Sequence, residues 1–343
     1  MACRERKGQS MCYSAQIWAD YRKYVHHWGA DVDIKEFVRI YWHRQQQPSI
    51  RIPKGMDAAF AHPQSDDERE IKRMIDAFDA AQTAKLETEL FKQRKRLADA
   101  ERTLQKKTTK AATESKRIAT DKIAWALGKI ADSKRTEPKD RDARIFPGWY
   151  APVMVFEDGR RVIKPMRYQC RPAGKPAFYD SKYPGCYNAR RDNLEGFWKD
   201  LFGVSHGLMV VNAFYENVSR HAMEGRALAE GEKEENVILE FKPTPTQDMI
   251  VACVWSHWQA TGGSLPLTER EGESWGGVTL DSFAAITDDP PAEIAAAGHD
   301  RCIIPIKPEN IDAWLAPKRG ELAAQYAILD ERERPYYEHR MAA

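Results

Sequence analysis

Four short segments carry reactive or polar side chains in settings that an apolar core would not require. These segments are MCYSAQ with Cys12, GCYNARRDN with Asn188 and Arg190, NAFYEN with Glu216, and AAGHDRCIIPI with His299 and Arg301. Glu216 ends an apolar, strand-like run, where an unpaired buried carboxylate would be costly. A thiol, an amide, a carboxylate, an imidazole and two guanidiniums can support nucleophilic or acid–base chemistry if the fold brings them together.

Each of these residues also has an ordinary structural explanation. Asn188 is of a type common in turns, Glu216 can pair with a surface lysine, and His299 can cap a helix or bond within a loop. The two arginines can be salt-bridge partners. Considered singly, none of these residues identifies an enzyme.

The elements that must position these residues follow from the hydrophobic pattern. From about residue 145, β-branched and aromatic residues form short runs between turns rich in Gly, Pro and Asp, which is typical of strands and loops. The runs are WYAPVMVF, GLMVVNAFY, NVILEF, DMIVACVW and CIIPI, and EDGRR at residues 157–161 predicts a hairpin turn. Upstream, one helical face carries Ile34, Phe37, Val38 and Tyr41. We predict an α+β fold with a compact, mainly antiparallel β domain and a few helices.

A helical insertion interrupts this pattern at residues 64–140. Strong helix formers dominate the segment, and neither Gly nor Pro occurs between residues 64 and 127. Apolar residues recur there at seven-residue steps, at Leu90, Leu97, Leu104, Ala111, Ile118 and Trp125. The companion positions are mostly polar, so we predict a long helix or a helical hairpin rather than a coiled-coil dimer. Ten basic and three acidic residues between Lys92 and Arg117 indicate a solvated face or a phosphate contact.

Composition limits the classes of function. The 343 residues include 53 Lys and Arg against 51 Asp and Glu, a net charge of +2, which excludes nucleic-acid binding through bulk charge. The six cysteines form no CxxC pair or zinc-spaced cluster, so we expect free thiols and neither a metal nor another cofactor. No apolar window is long enough for a transmembrane helix, and the polar start lacks a secretory signal. We therefore expect a cytoplasmic protein without a membrane partner.

Taken together and in order, the motifs resemble the SOS-response-associated peptidase (SRAP) family, whose members process abasic sites in single-stranded DNA. Cys12 takes the place of the cysteine in the family's Met-Cys opening. The family's Asn-Ala-Arg, aromatic-Glu, His-x-Arg and Trp-Gly-x-x-Pro elements correspond to the segments that contain Asn188 and Arg190, Glu216, His299 and Arg301, and Trp149. The resemblance covers residues 11–317, interrupted by 64–140, and implies a barrel-like domain with peripheral helices.

The resemblance implies that Cys12 crosslinks the protein to the abasic sugar. A cysteine with a free α-amine can form an imine with the open-chain aldehyde and close a thiazolidine ring through its sulfur. It further implies that His299 promotes opening of the sugar ring, that Glu216 transfers protons and that Asn188 orients the sugar. The residues implied to hold phosphates and bases are Arg190, Trp149 and Arg301.

Two departures from the family pattern bear on this mechanism. Residues 1–10 precede Met11, so the nitrogen of Cys12 is an amide unless translation starts at Met11 or the chain is cut after it. We expect the first of these routes. In addition, Tyr13 and Ser14 stand where the family has Gly-Arg, which removes an expected phosphate-binding arginine.

Two other functions stay open on the sequence alone. One is a thiol peptidase or hydrolase with Cys12 as nucleophile, His299 as base and Asn188 as the orienting group. The other is a noncatalytic DNA-binding module that uses residues 92–117. For the leading function we expect abasic single-stranded DNA and replication-fork proteins as partners, a monomeric state, and a place at the nucleoid within the cytoplasm. The charged residues 318–343 are expected to form a surface or loose tail.

Overall fold

The computed structural model of the chain describes residues 12–260 and 279–342. The N-terminal extension at residues 1–10 and Met11 lie outside these ranges. The strands are β1 (Cys12–Ile17), β2 (Asp31–Val32), β3 (Arg144–Ile145), β4 (Tyr150–Glu157), β5 (Arg160–Tyr168), β6 (Asn188–Arg190), β7 (His206–Ser219), β8 (Asn236–Thr244), β9 (Met249–Gln259), β10 (Thr279–Asp288), β11 (Cys302–Ile303) and β12 (Tyr336–Met341). The α-helices are α1 (Tyr21–Trp28), α2 (Ile34–Gln46), α3 (Lys54–Ala58), α4 (Asp66–Lys106), α5 (Lys110–Ser133), α6 (Tyr179–Lys182), α7 (Arg220–Met223), α8 (Ala292–Ala296), α9 (Ile311–Leu315) and α10 (Leu322–Asp330).

Five strands close into a barrel in the order β10-β5-β4-β7-β9, with β9 returning to β10. All of these pairings are antiparallel except the short parallel contact of β5 with β10. The predicted α+β fold with a mainly antiparallel, barrel-like β domain is therefore confirmed. At the predicted EDGRR hairpin, Asp158 and Gly159 both take positive φ angles, of 50° and 79°, as a two-residue turn between β4 and β5 requires.

Strand β7 belongs to the barrel in its first half and reaches the candidate site in its second half. Its first half pairs with β9, whereas its second half pairs with β1 on one side and β8 on the other. Of its 14 residues 11 are buried and three are partly exposed, so side chains on both faces of the strand are covered by the fold. Glu216 lies in the second half, between β1 and β8.

Helices α4 and α5 form an antiparallel hairpin within the predicted insertion. The hydroxyls of Ser65 and Thr109 cap the two helices by accepting backbone N–H groups, and the chain turns at residues 107–109. The predicted seven-residue seam is one residue out of phase on α5, where Ala112, Ala119 and Ala126 are buried and Trp125 is 54% exposed. The turn resets the helical phase, so a pattern read straight through it points to the wrong face.

The charged C-terminal residues take part in the fold. Helix α10 buries Leu329, and β12 pairs antiparallel with β8 along its whole length and buries Tyr337. The segment does lie at the surface, but it is a paired edge strand rather than a loose tail. Within the described ranges, no helix combines the length and the apolar character needed to cross a membrane.

Candidate functional site

The centre of the candidate site is a contact between Glu216 on β7 and His299 in the loop between α8 and β11. Glu216 Oε2 lies 3.0 Å from His299 Nε2, and neither side chain exposes any surface. Two polar groups buried this deeply are stable only when they satisfy each other and their neighbours. The structure thus brings together two of the predicted site residues, which are 83 positions apart in the chain.

The second ring nitrogen of His299 determines where the protons can be. Nδ1 lies 2.8 Å from the backbone carbonyl oxygen of Arg301, which can only accept a hydrogen bond. Nδ1 must therefore carry a proton and donate it to that carbonyl. When Nε2 also carries a proton, the ring is cationic and forms an ion pair with the Glu216 carboxylate across the 3.0 Å contact. The arrangement can therefore exchange a proton at Nε2 within a buried site.

Gly298 fixes the approach of His299. Its φ angle is +92°, and an added Cβ atom would lie 3.0 Å from the Cβ atom of Ala222 on α7. The N–H of His299 donates to the carbonyl oxygen of Ile294 at 3.2 Å. Only glycine accepts both this backbone angle and the close neighbour without strain, so the Gly-His dipeptide is a structural requirement of the site.

Cys12 reaches the same site through strand register. In the antiparallel pair of β1 and β7, Cys12 is the partner of Glu216, and the register then shifts before Ser14 pairs with Tyr215. Directly opposed residues in such a pair have Cα atoms only about 4.5–5.5 Å apart. The backbone of Cys12 therefore lies beside the Glu216–His299 pair.

Asn188 lies where three strands meet. Strand β6 pairs parallel with β10, and the Asn188 Oδ1 atom accepts a hydrogen bond of 2.6 Å from the Thr287 hydroxyl. Asn188 is 5% exposed, and its Nδ2 atom has no hydrogen-bond partner among the described residues. Thr287 also pairs with Ile303 of β11, just after the His299 loop. The Thr287 hydroxyl thus orients the Asn188 amide, and the Nδ2 group remains available to donate a hydrogen bond.

The two predicted phosphate-binding arginines differ in exposure. The Arg190 side chain is 33% exposed and forms ion pairs with Asp192 at 3.1 Å and Asp289 at 3.8 Å. The Arg301 side chain is only 6% exposed, and its Nε atom lies 3.0 Å from Asp300. Burial acts to raise the pKa of Asp300, but the hydrogen bond and charge of Arg301 outweigh it and leave that pKa below its usual range. Asp300 is therefore an ionised partner that holds Arg301 in place.

Sequence reasoning missed Arg144, which lies on β3 beside the site. Its guanidinium carbon is 3.6 Å from the centre of the Tyr215 ring, and its Nε atom donates to the Ser14 hydroxyl at 2.9 Å. The signal was available, because Ser14 stands at the position where the family pattern has an arginine. Arg144, on the neighbouring strand β3, places a positive charge near this position instead.

Trp149 is connected to this region through a row of contacting side chains. Its ring centre is 5.5 Å from that of Phe146, which in turn lies 5.0 Å from the Arg144 guanidinium. No described contact joins Trp149 directly to Glu216 or His299. The row therefore runs from the buried Tyr215 through Arg144 to the partly exposed rings of Phe146 and Trp149.

The other described cysteines are unsuited to nucleophilic chemistry. Cys170, Cys186, Cys253 and Cys302 are buried free thiols. Burial raises the pKa of Cys170 to about 12 and that of Cys253 and Cys302 further, so these groups stay protonated. Within residues 12–260 and 279–342, no group of three His, Cys, Asp or Glu side chains could hold a metal ion.

Comparison with known families identifies the chain. The model of the family described as SOS response associated peptidase (SRAP) matches residues 100–342, more than half of the sequence. The chain belongs to the SRAP family. The matched region includes Asn188, Glu216 and His299 but begins after Cys12, whose link to the SRAP site is therefore its register opposite Glu216. Membership associates this SRAP protein with the SOS response to DNA damage. A search of curated proteins found no match.

Three solved structures resemble the chain weakly. A Bordetella bronchiseptica protein has a TM-score of 0.43 and 13% identity, and the alignment covers 59% of this chain and 87% of that one. A Bacteroides thetaiotaomicron protein has a TM-score of 0.42 and 11% identity, with coverage of 59% and 78%. A phage-related protein from B. bronchiseptica has a TM-score of 0.40 and 16% identity, with coverage of 61% and 85%.

Proposed function

We propose that this SRAP protein captures abasic sites in single-stranded DNA as a covalent crosslink to Cys12. The observation that carries the proposal is the register pairing of Cys12 with Glu216, whose carboxylate contacts His299 at 3.0 Å. This pairing sets the backbone of a 1,2-aminothiol residue beside a buried carboxylate–imidazole pair. Cys302 also interacts electrostatically with Glu216, but its nitrogen is an internal amide and burial raises the pKa of its thiol.

The chemistry is a condensation without any redox change. The α-amine of Cys12 attacks the aldehyde carbon of the opened sugar and forms a carbinolamine, which loses its oxygen as water to give an imine. The thiol then adds across the imine, so that sulfur bonds to the same carbon and its proton moves to nitrogen. One water leaves in total, and the product is a thiazolidine. Because both nucleophiles belong to one residue, ring closure gains the large advantage of an intramolecular reaction.

The Glu216–His299 pair supplies the proton transfers that this sequence needs. Opening of the sugar hemiacetal and departure of water both require a proton at oxygen, and formation of the carbinolamine releases one from nitrogen. His299, with Nδ1 held by the Arg301 carbonyl, can accept or release a proton only through Nε2, which faces Glu216. The two ring nitrogens therefore favour a relay through the carboxylate over direct activation of a thiol by the imidazole.

Asn188 and the cationic row act on binding in this proposal. The Asn188 Nδ2 group, oriented by the Thr287 hydroxyl, donates to a sugar oxygen. Arg190 and Arg144 hold phosphates, while Phe146 and Trp149 provide ring faces for unstacked bases, as in other single-strand binders. Arg301, with its buried side chain, contributes mainly by presenting its carbonyl to His299.

The mechanism requires a free α-amine on Cys12. Either translation starts at Met11 and the methionine is removed, or the chain is cut between Met11 and Cys12. An α-amine has an ordinary pKa of about 7.7–8.0, so a useful neutral fraction exists at physiological pH. The family's peptidase label fits self-cleavage at this bond as a second activity.

The test is incubation with a single-stranded oligonucleotide that contains one abasic site. We expect a heat-resistant protein–DNA band that needs the lesion and is absent in Cys12→Ala, with Cys170→Ala as the matched control for loss of a thiol. If a version with an added residue before Cys12 hydrolyses peptides but does not crosslink, thiol hydrolysis is a separate activity of the same residue. Equal crosslinking by Cys12→Ala would contradict the proposal.

A further inference from the structure

The helical hairpin forms an arm that stands away from the barrel. Its base is anchored by Glu68, which contacts Tyr21 and Arg22, and by Asp132, whose carbonyl oxygen accepts from Lys54 at 2.6 Å. Phe78 on α4 packs under the Arg44 guanidinium. Between residues 78 and 130, the described side-chain hydrogen bonds and ion pairs of α4 and α5 join only residues of the hairpin. At a rise of about 1.5 Å per residue, α4 extends roughly 40 Å past this anchor.

The distal half of the arm carries an excess of cations. All three acidic residues between positions 92 and 117 are neutralised within the arm, by the pairs Asp99–Arg102 at 2.6 Å, Glu101–Lys116 at 3.1 Å and Glu114–Arg117 at 2.6 Å. Seven cations remain without an ion-pair partner among the described residues: Lys92, Arg94, Lys95, Arg96, Lys106, Lys107 and Lys110. The whole protein has a net charge of only +2, yet positive charge is concentrated at the distal end of the hairpin.

Three of these cations border a groove between the two helices, which Asp99 also lines. The groove has a volume of about 490 Å³ and is open to solvent. Lys92, Lys95 and Arg96 line one side, and the hydroxyls of Thr109 and Ser115 line the other. Arg96 is fixed by a hydrogen bond of 2.9 Å from its Nε atom to Ser115. Cations beside hydroxyl groups are a donor set suited to phosphate oxygens.

We propose that the distal arm binds the phosphate backbone of double-stranded DNA that adjoins the abasic single strand. The inference rests on the proposed function, which supplies DNA as the substrate. The arm presents its seven cations over about 21 Å of rigid helix, from Lys92 to Lys106 and across the turn. Duplex DNA offers a rigid array of about twelve phosphates over that length, about half of them on one face. Charge density and rigidity therefore match a duplex better than a flexible single strand.

The experiment compares two triple variants of the full chain. Lys92→Gln, Lys95→Gln and Arg96→Gln remove the groove cations, and glutamine keeps the helix intact. Lys233→Gln, Lys318→Gln and Arg319→Gln remove the same charge from exposed positions away from the arm. The affinity for an undamaged 20-base-pair duplex is measured at several salt concentrations. We expect the slope of log K against log salt to fall by about 2.7 in the groove variant, with a loss of affinity above ten-fold at low salt, and no such change in the control.

The outcomes separate the arm from the covalent chemistry. Crosslinking of abasic single strands at saturating concentration should stay at the wild-type level in both variants, which also shows that they fold. Equal duplex affinity and equal salt slopes in the two variants would overturn the role of the arm while leaving the crosslink intact. Loss of duplex binding in the groove variant, in a protein that never crosslinks abasic DNA, would support the arm and contradict only the proposed function.

Discussion

Glu216 Oε2 and His299 Nε2 lie 3.0 Å apart with no exposed surface on either side chain. Because Nδ1 of His299 already donates to the Arg301 carbonyl, this contact becomes an ion pair only when Nε2 carries a second proton. Strand β1 then adds the backbone of Cys12 directly opposite Glu216. One strand pair and one glycine-dependent loop thus assemble the candidate site of this SRAP protein.

Replacement of Glu216 by glutamine tests the proton relay. The amide can still donate to the neutral His299 ring, so the fold should be retained, but it cannot accept and release a proton. We expect crosslink formation at saturating DNA to slow by about 10²–10⁴-fold. Asp281→Asn is the matched control, since Asp281 is also a buried carboxylate bonded to a histidine, 4% exposed, but outside the site. A folded Glu216→Gln protein that crosslinks at the wild-type rate would refute the relay.

Arg144→Gln tests the cation that sequence reasoning missed. The change removes the guanidinium beside Tyr215 without touching the covalent chemistry. Affinity for single-stranded DNA should fall, and the slope of log K against log salt should decrease by about 0.7, the value for one lost phosphate contact. The exposed neighbour Arg141, changed in the same way, serves as the control. An unchanged slope for Arg144→Gln, measured by fluorescence anisotropy, would exclude a phosphate contact there.

Gly298→Ala tests whether the loop angle positions His299. The new Cβ atom would meet Ala222 at 3.0 Å at a φ of +92°, so the loop must shift or strain. We expect a stability loss of about 1 kcal/mol or more and slower crosslinking. Gly174→Ala provides the comparison, because Gly174 has a φ of +73° and open space around its Cβ position. If the two variants lose the same stability and both crosslink normally, the close approach at Gly298 has no functional effect.

Because the His206 side chain is buried, we predict that the free energy of unfolding falls in mild acid. Burial lowers the pKa of His206 from 6.5 to about 4. In the folded protein its Nδ1 atom donates a hydrogen bond to the Trp314 carbonyl, and its Nε2 atom accepts one from the Gly203 N–H. Below pH 6.5 His206 is protonated in the unfolded chain, whereas in the folded protein it stays neutral down to about pH 4. Protonation therefore favours unfolding. Between pH 7.5 and 5 this linkage should remove about 2 kcal/mol from the free energy of unfolding. Urea unfolding of His206→Gln should show a correspondingly smaller pH dependence, and an identical dependence would assign the effect to other groups.

Much of the fold could be predicted from local patterns. The apolar runs became β4, β7, β8, β9 and β11, and Phe37, Val38 and Tyr41 are buried on one face of α2 as expected. Alternation and turn residues act over a few positions, so a single sequence reveals them. Across the turn at residues 107–109 the same logic failed, because the seam on α5 depends on how the chain reverses rather than on the residue spacing.

The residues of the candidate site could be named from the sequence, but their geometry could not. The motif order pointed to Glu216 and His299, yet only the tertiary structure shows that they touch. Thr287, which orients Asn188, gave no signal because one hydroxyl in an apolar strand is unremarkable. Arg144 follows the charged insertion, where many arginines are solvated. Ser14 at the position of the family's arginine indicated a missing cation, but only the tertiary structure shows that Arg144 supplies one beside Tyr215.

The most direct test of the crosslink is the intact mass of the protein–DNA product formed by two versions of the chain. One version begins at Cys12 after removal of Met11, and the other keeps a single alanine on the nitrogen of Cys12. We predict that only the first gives a product with abasic single-stranded DNA, at the summed mass of protein and DNA less one water. An equal yield of covalent product from the alanine-extended version would contradict the thiazolidine and, with it, the assignment of Cys12 as both amine and thiol.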